Sequence, residues 1–194
     1  IIPHIVSGLP EEQAAALRLQ GKSPLQFTTV GLRNWRAMKE LGIGVAMSPG
    51  NMHQAVLMDF PVSMGGYEYA KTPDDPCVIQ MICCPYGEVG APVLEQFRQA
   101  RHRMLSLQFS DYEKEIRRHL TGMLPGELFD FDRDVASISV NRWAHGYTTG
   151  GPGDSTRIGR QPFGSITIAN ADSAPDADAK TAIMMAHRAV SELG

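Results

Sequence analysis

The stretch "HQAVLMDFPVS", residues 53–63, decides how the middle of this chain is read. Val56, Met58 and Phe60 alternate with Leu57 and Asp59. That two-residue period is the signature of an extended strand with one face turned inward. Turn residues bound it, "SPGN" (48–51) before and "GGYEYAKTPDDP" (65–76) after. Working outward, "IGVAMS" (43–48), "PCVIQMICC" (76–84) and "SPLQFTTVGLRNW" (23–35) have the same strand character. Four strands with short connections predict an antiparallel sheet.

Helices flank these strands. "PEEQAAALRLQ" (10–20) opens on Pro10 and two glutamates and is followed by Gly21. "RAMKELG" (36–42) is a short helix ending in glycine. Residues 92–123 form two helices. The first carries Val93, Phe97, Ala100 and Met104 on one stripe. The second opens with a capping box, Ser110 to Glu113, and aligns Tyr112, Ile116 and Leu120. Arg101, Arg103, Arg117 and Arg118 lie along these helices, and a solvated face explains them better than an anion patch.

The end of the chain changes character. "SISVNRW" (137–143) and "SITIANADS" (165–173) are predicted strands. "PDADAKTAIMMAHRAVSEL" (175–193) is a predicted helix whose small, apolar stripe runs through Ala179, Ala182, Ile183, Ala186, Val190 and Leu193. A strand, a turn and a small-residue helix belong to an α/β layer. The fold expected is therefore mixed: an antiparallel sheet with helices over residues 1–136, and a different, strand-helix unit over 137–194.

Composition narrows the function classes. The 194 residues carry a net charge of −3, which argues against a nucleic-acid partner. No apolar run reaches the length of a membrane span. Cys77, Cys83 and Cys84 are an odd set in apolar surroundings and read as buried, inert thiols, in keeping with folding in the cytoplasm. The chain begins "IIPHIVSGLPEEQ", as though entered partway through a longer sequence. There is no P-loop, nucleophile elbow, HExxH, CxxC or GxGxxG, so no metal site is expected. His4, His53, His102, His119 and His187 read as isolated surface or core residues.

Two stretches carry candidate site residues. In "ANADSAPDADA" (169–179), Asn170, Ala171 and Asp172 sit where a strand feeds a helix N-terminus, a place that offers unpaired N–H groups to a ligand. Plain capping by Ser173 or Asp176, with Asp178 satisfying the helix dipole, accounts for the same residues equally well. Asp176 and Asp178 would repel a phosphate there but not a neutral, hydrogen-bonding edge. In "NRWAHGYTTGGPG" (141–153), Trp143, His145, Gly146 and Tyr147 precede a passage with five glycines in residues 148–164. Core duty accounts for the aromatics; a loop so poor in side chains also lets a ligand approach the backbone.

"NRWAHGY", the glycine-rich passage, "GSITIANADS" and the helix ending "AHRAVSEL" together resemble the C-terminal part of flavin-dependent amine oxidases, nearest to bacterial spermidine dehydrogenase-like oxidoreductases. "PLQFTTVGLRNWRAMKELGI", "SPGNMHQAVLMDFPVSMGGY" and "FDRDVASISVNRWAHGY" extend the likeness along the chain. The resemblance implies a substrate domain with an antiparallel sheet over residues 1–136 and a return into a Rossmann-type FAD-binding domain over 137–194. The GxGxxG that holds the FAD pyrophosphate has no counterpart, so the resemblance implies a C-terminal portion completed by an N-terminal FAD-binding segment. It implies cofactor contacts from Trp143, Gly146, Asn170, Ala171, Asp172, Asp178 and Ala179, with the "AGE"-like turn of the family only loosely matched by "ANAD". Tyr147, with Trp143, would form an aromatic wall beside flavin and substrate, and His145 would handle or orient a proton. The reaction implied is oxidation of a small amine at its C–N bond, with a hydride passing to flavin N5 and the imine hydrolysed by water. A homo-oligomer is compatible with this reading, and relatives of this kind work in the cytoplasm or after export to the periplasm. The alternative is a non-catalytic module, truncated or split, that packs against a partner and binds no cofactor alone.

Overall fold

The computed structural model describes residues 1–174 and 176–194. Pro175, where the last helix was expected to open, lies outside the described residues. They divide into two compact units, one built from 25–86 and 100–144, the other from 1–24, 87–99 and 145–194. The expected division between 136 and 137 falls inside a strand instead.

The first unit is organised by an open, five-stranded antiparallel sheet. Its strands are β1 (Gly21–Leu32), β2 (Val45–Met47), β3 (Ala55–Met58), β4 (Cys77–Cys83) and β5 (Val135–Gly150), in the order β2-β3-β4-β1-β5. β1 and β4 are locked from Gln26↔Cys83 to Leu32↔Cys77. β3 pairs with β4 from Ala55↔Ile82 to Met58↔Ile79. β5 comes close to β1 at Gly31, where an added Cβ would stand 2.6 Å from Ser137 Oγ and oblige that hydroxyl to turn aside. The antiparallel middle expected from residues 23–84 is therefore present, with "HQAVLMDFPVS" reduced to the four residues of β3. Phe60, expected on its inward face, is exposed beyond the strand end.

The core follows from the two-residue period of β4, which sends Cys77, Ile79, Met81 and Cys83 inward. Val30 and Leu32 of β1 and Val56 of β3 join them. The cover is α5 (Phe109–Met123), which follows α4 (Val93–Ser106) in the chain. Tyr112, Ile116 and Leu120 of α5 form the expected buried stripe, each contributing on the order of 2 kcal/mol by leaving water. Tyr112 keeps its hydroxyl satisfied by donating to Met104 O at 2.5 Å. The start of α5 differs from expectation by two residues. The N-cap is Gln108, and the reciprocal carboxylate is Asp111, which accepts from Gln108 N–H at 2.9 Å. Of the predicted α4 stripe, Phe97, Ala100 and Met104 are buried and Val93 is exposed.

The helix arginines are largely committed to neighbours. Arg117 holds Asp132 through two hydrogen bonds and lies 4.1 Å from the Phe131 ring centroid. Arg118 pairs with Glu115 at 2.7 Å, and Arg101 donates to Ala144 O. Cys77, Cys83 and Cys84 are unbridged, and burial pushes the Cys83 thiol up to about 12, which leaves it unreactive.

The second unit packs α2 (Glu11–Arg18) on α7 (Ser155–Gly159), with α1 (Ile2–Ile5) beside α2. Gln13 is buried in this contact and donates to Gly159 O and Gln161 O, at 3.3 and 2.6 Å. β5 is longer than predicted. The residues "AHGYTTG", expected to dissolve into a loop, continue as strand, because Tyr147, Thr148 and Thr149 favour extended backbone and Gly21 lets Thr149 close in.

Conversely, residues 165–173 are not a strand. They contain one isolated bridge, Phe163↔Ile166, and a single 3-10 turn at Ala171–Ser173. A strand needs a hydrogen-bonded neighbour, and among the described residues none pairs with 167–170; the Rossmann-type layer is thus not formed by this segment. The final helix α8 (Ala179–Ser191) is present, but its face is rotated from the expected one. Ala189 is buried and Ala182 and Met185 are half-buried, whereas Ile183, Ala186, Val190 and Leu193 are exposed.

A short junction connects α6 (Phe131–Asp134) to β5 and rests on one carboxylate. Asp134 is buried, accepts from Asn34 Nδ2 and the Asp130 amide, both at 2.9 Å, and pairs with Arg133 at 2.6 Å. The Arg133 hydrogen bonds, with help from Asp130 and Asn34, hold this carboxyl down at about 2. Asp134→Ala leaves Asn34, the Asp130 amide and Arg133 without this acceptor and is expected to cost about 1–3 kcal/mol, read as a lower urea midpoint at unchanged slope. A midpoint equal to the parent's contradicts this account.

Candidate functional site

The second unit contains a pocket of about 450 Å³. Three segments converge on it. β5 supplies His145, Gly146, Tyr147 and Thr148; the 3-10 turn supplies Asn170, Ala171 and Asp172; the start of α8 supplies Ala177 and Asp178. Lys22, at the start of β1, completes the wall. The volume falls within the roughly 300–1,000 Å³ range of small-molecule sites.

Each segment has a physical reason for its place. The 168–173 stretch lacks strand partners, so side chains hold it. Arg160 donates to Ser173 O at 2.9 Å and Arg188 of α8 donates to Ile168 O. Ser173 is buried, with its Oγ 3.1 Å from Ile168 O and 3.0 Å from Asn170 Oδ1, which orients the Asn170 amide. At α8 the N-cap is Asp178, not Ser173 or Asp176. Its Oδ1 accepts from the Thr181 amide at 2.8 Å and its Oδ2 from the Thr181 hydroxyl at 3.0 Å. Those two Thr181 bonds, amide first, hold the Asp178 carboxyl below its ordinary value.

Seven expected site residues, His145, Gly146, Tyr147, Asn170, Ala171, Asp172 and Asp178, thus share one pocket, although up to 33 positions separate them in the chain. Ala179 is the first residue of α8 and is not part of the lining. Trp143 is also absent from the lining. It belongs to the sheet unit, where its half-exposed ring meets Phe27 edge-on at 5.6 Å and 82°.

The residue that sequence reading missed is Lys22. Its Nζ lies 2.5 Å from Asp172 Oδ2. Lys22 was overlooked because it stands just before the predicted start of β1 and far from Asp172 in the chain; only the antiparallel fold joins them. Of the two carboxylates in the lining, Asp172 and Asp178, the pair balances Asp172 with a cation. The pocket consequently presents both donors and acceptors: the Lys22 ammonium, the Asn170 amide, the Thr148 hydroxyl, the His145 ring and two carboxylates. Among the described residues, no group of three or more His, Cys, Asp or Glu side chains could hold a metal ion.

No family model matches the chain, and no curated protein matches it significantly. None of the helices described is long and apolar enough to cross a membrane.

The Lys22–Asp172 pair is partly exposed, so its coupling should be modest. A double-mutant cycle with Lys22→Met and Asp172→Asn is expected to give about 0.5–1 kcal/mol at low salt and less at high salt. A coupling of zero at low salt would separate the two side chains.

Proposed function

We propose that this chain is the C-terminal portion of an FAD-dependent oxidoreductase that oxidises a small amine at a C–N bond, and that the pocket between β5, the 168–173 turn and α8 receives the pyrimidine edge of the flavin ring. The observation that carries this reading is the convergence of residues 145–147, 170–172 and 178 on a single lining. These were singled out from two separate sequence stretches, and the resemblance to flavin-dependent amine oxidases names the same two.

The side chains present suit such a ring edge. A pyrimidine edge alternates carbonyl acceptors and an N–H donor. Lys22, Asn170 and Thr148 offer donors, and Asp172 offers an acceptor. Tyr147, itself part exposed, gives a flat apolar surface for an aromatic ring. Nothing in the lining resembles a phosphate cradle, so this reading assigns pyrophosphate binding to a segment outside these 194 residues. When bound, FAD supplies the hydride acceptor for amine oxidation. The chain's own part is to hold and orient: Asn170 is fixed by Ser173, Asp172 is balanced by Lys22, and His145 is placed at the pocket wall, where it would orient or move a proton.

A second reading, a non-catalytic module packed on a partner, is favoured by one feature. Ile183, Ala186 and Val190 form an exposed apolar stripe on α8, continued by Leu193 beyond its end, a surface of the kind another polypeptide covers. On the first reading the same stripe meets the FAD-binding segment.

The two readings separate on flavin content. The natural protein, purified intact, should carry bound flavin, and Asn170→Leu with Tyr147→Ala should weaken flavin binding by tenfold or more, about 1.4 kcal/mol. Cys84→Ala, remote in role, should retain the flavin. A natural protein that purifies without flavin and takes up none would sink the flavoenzyme reading and leave the packing module.

A further inference from the structure

Polar side chains also converge inside the sheet unit, beneath α5. His53, just before β3, is completely buried. Its Nε2 lies 3.0 Å from Gln26 Nε2 and 2.9 Å from Thr28 Oγ1, on two buried positions of β1. The Gln26 amide also donates to Thr28 Oγ1 at 3.0 Å. With amide and hydroxyl both turned toward it as donors, His53 Nε2 is an acceptor, and the ring is neutral with its proton on Nδ1. Facing it from α5, with ring centroids 6.4 Å apart, is His119, whose Nε2 lies 3.0 Å from Ser48 Oγ. Among the described residues neither Nδ1 meets a hydrogen-bonding partner. Ser48 and His53 stand at the two ends of the turn between β2 and β3, and Arg118 reaches Asn51 within that turn at 3.2 Å.

We propose that His53 and His119 form an acid-released latch that holds the 48–54 turn between β1 and α5. Both rings fit only while neutral. A proton on His53 Nε2 would point an N–H at the Gln26 amide donor and oblige the Thr28 hydroxyl to turn round, and charging both rings would set two buried cations 6.4 Å apart. The charged groups acting on the pair come from α5. Glu115 favours protonation of both rings, and Arg118 opposes it at His119; these two side chains are paired with each other at 2.7 Å. β1 brings only the neutral Gln26 and Thr28, and the turn brings Ser48 and Asn51.

The direction of the pH response follows. Burial, reinforced by His119, lowers His53 from 6.5 to about 4, and burial lowers His119 as well. Once the turn is released, both rings recover ordinary basicity, so the released form binds more protons between those limits. The latch is therefore at full strength above about pH 6.5 and weakens as pH falls toward about 4. For His53 alone, the release equilibrium shifts about 20-fold between roughly pH 7 and pH 5. β2 is three residues long and among the described residues pairs only with β3, so release frees an edge hairpin while β4 and β1 stay paired.

Amide hydrogen exchange of the chain at the two pH values, corrected for intrinsic rates, tests the latch. Residues 45–58 should exchange about 20-fold faster at the lower pH while residues 77–83 keep their protection. His53→Gln, which can still accept from Thr28 but cannot take up a proton, should flatten that response. If this variant does not fold, Ser48→Ala serves instead: it removes the partner of His119 and should raise exchange in 45–58 at neutral pH without touching 77–83. Equal acceleration of both segments, no acceleration of either, or a His53 ring that titrates at its ordinary value with the hairpin still protected would each overturn the proposal.

Discussion

The pairing of β1 with β4 is the constraint on which the rest of this structure depends. Seven consecutive residue pairs, Gln26↔Cys83 to Leu32↔Cys77, fix the register of the central strands. Because the side-chain period of a strand is two, that register decides which residues turn inward. It sends Val30, Ile79 and Met81 to one face, and the Tyr112, Ile116 and Leu120 stripe of α5 has a matching surface to cover. A one-residue slip would expose that whole set. It would also move Gln26 and Thr28 away from His53, so the hydrophobic core and the buried polar cluster depend on the same alignment.

Much of this was legible in the sequence, and the reasons differ from element to element. β4 was visible because "PCVIQMICC" is apolar, β-branched and bounded by turns. α5 was visible because its apolar residues repeat every four positions. Its start was misplaced because Ser110–Glu113 and Gln108–Asp111 are two overlapping capping patterns, and the choice between them depends on where α4 releases the chain. The segment 165–173 was read as a strand on β-branched content alone. Propensity describes a surface that fits a sheet, and among the described residues Ile166 makes an isolated bridge to Phe163 while Thr167 and Ile168 join no sheet. On α8 the sequence offered two apolar faces, and the smaller residues, Ala182 and Ala189, sit closer to the protein than the bulkier Ile183 and Val190.

The candidate site was legible as two stretches but not as one place. Nothing local links His145 to Asn170; the link is made by β5 running on as strand and by arginines tethering the 168–173 turn. Lys22 had no sequence signal, since a lysine at a strand start is ordinary and its partner lies 150 positions away. The buried histidines were dismissed for the opposite reason. Each looked isolated in the chain, and their shared environment exists only because α5 crosses over the turn that precedes β3.

The two arginines that tether the 168–173 turn differ in origin. Arg160 follows α7, while Arg188 belongs to α8, whose first turn also supplies Asp178 to the pocket. α8 therefore contributes twice, lining the pocket with its N-cap Asp178 and holding the 168–173 turn through a guanidinium nearly three turns later. A rigid rod attached in this way acts as a lever. A tilt of α8 would act on the 168–173 turn through the Arg188–Ile168 bond and on the pocket wall through Asp178.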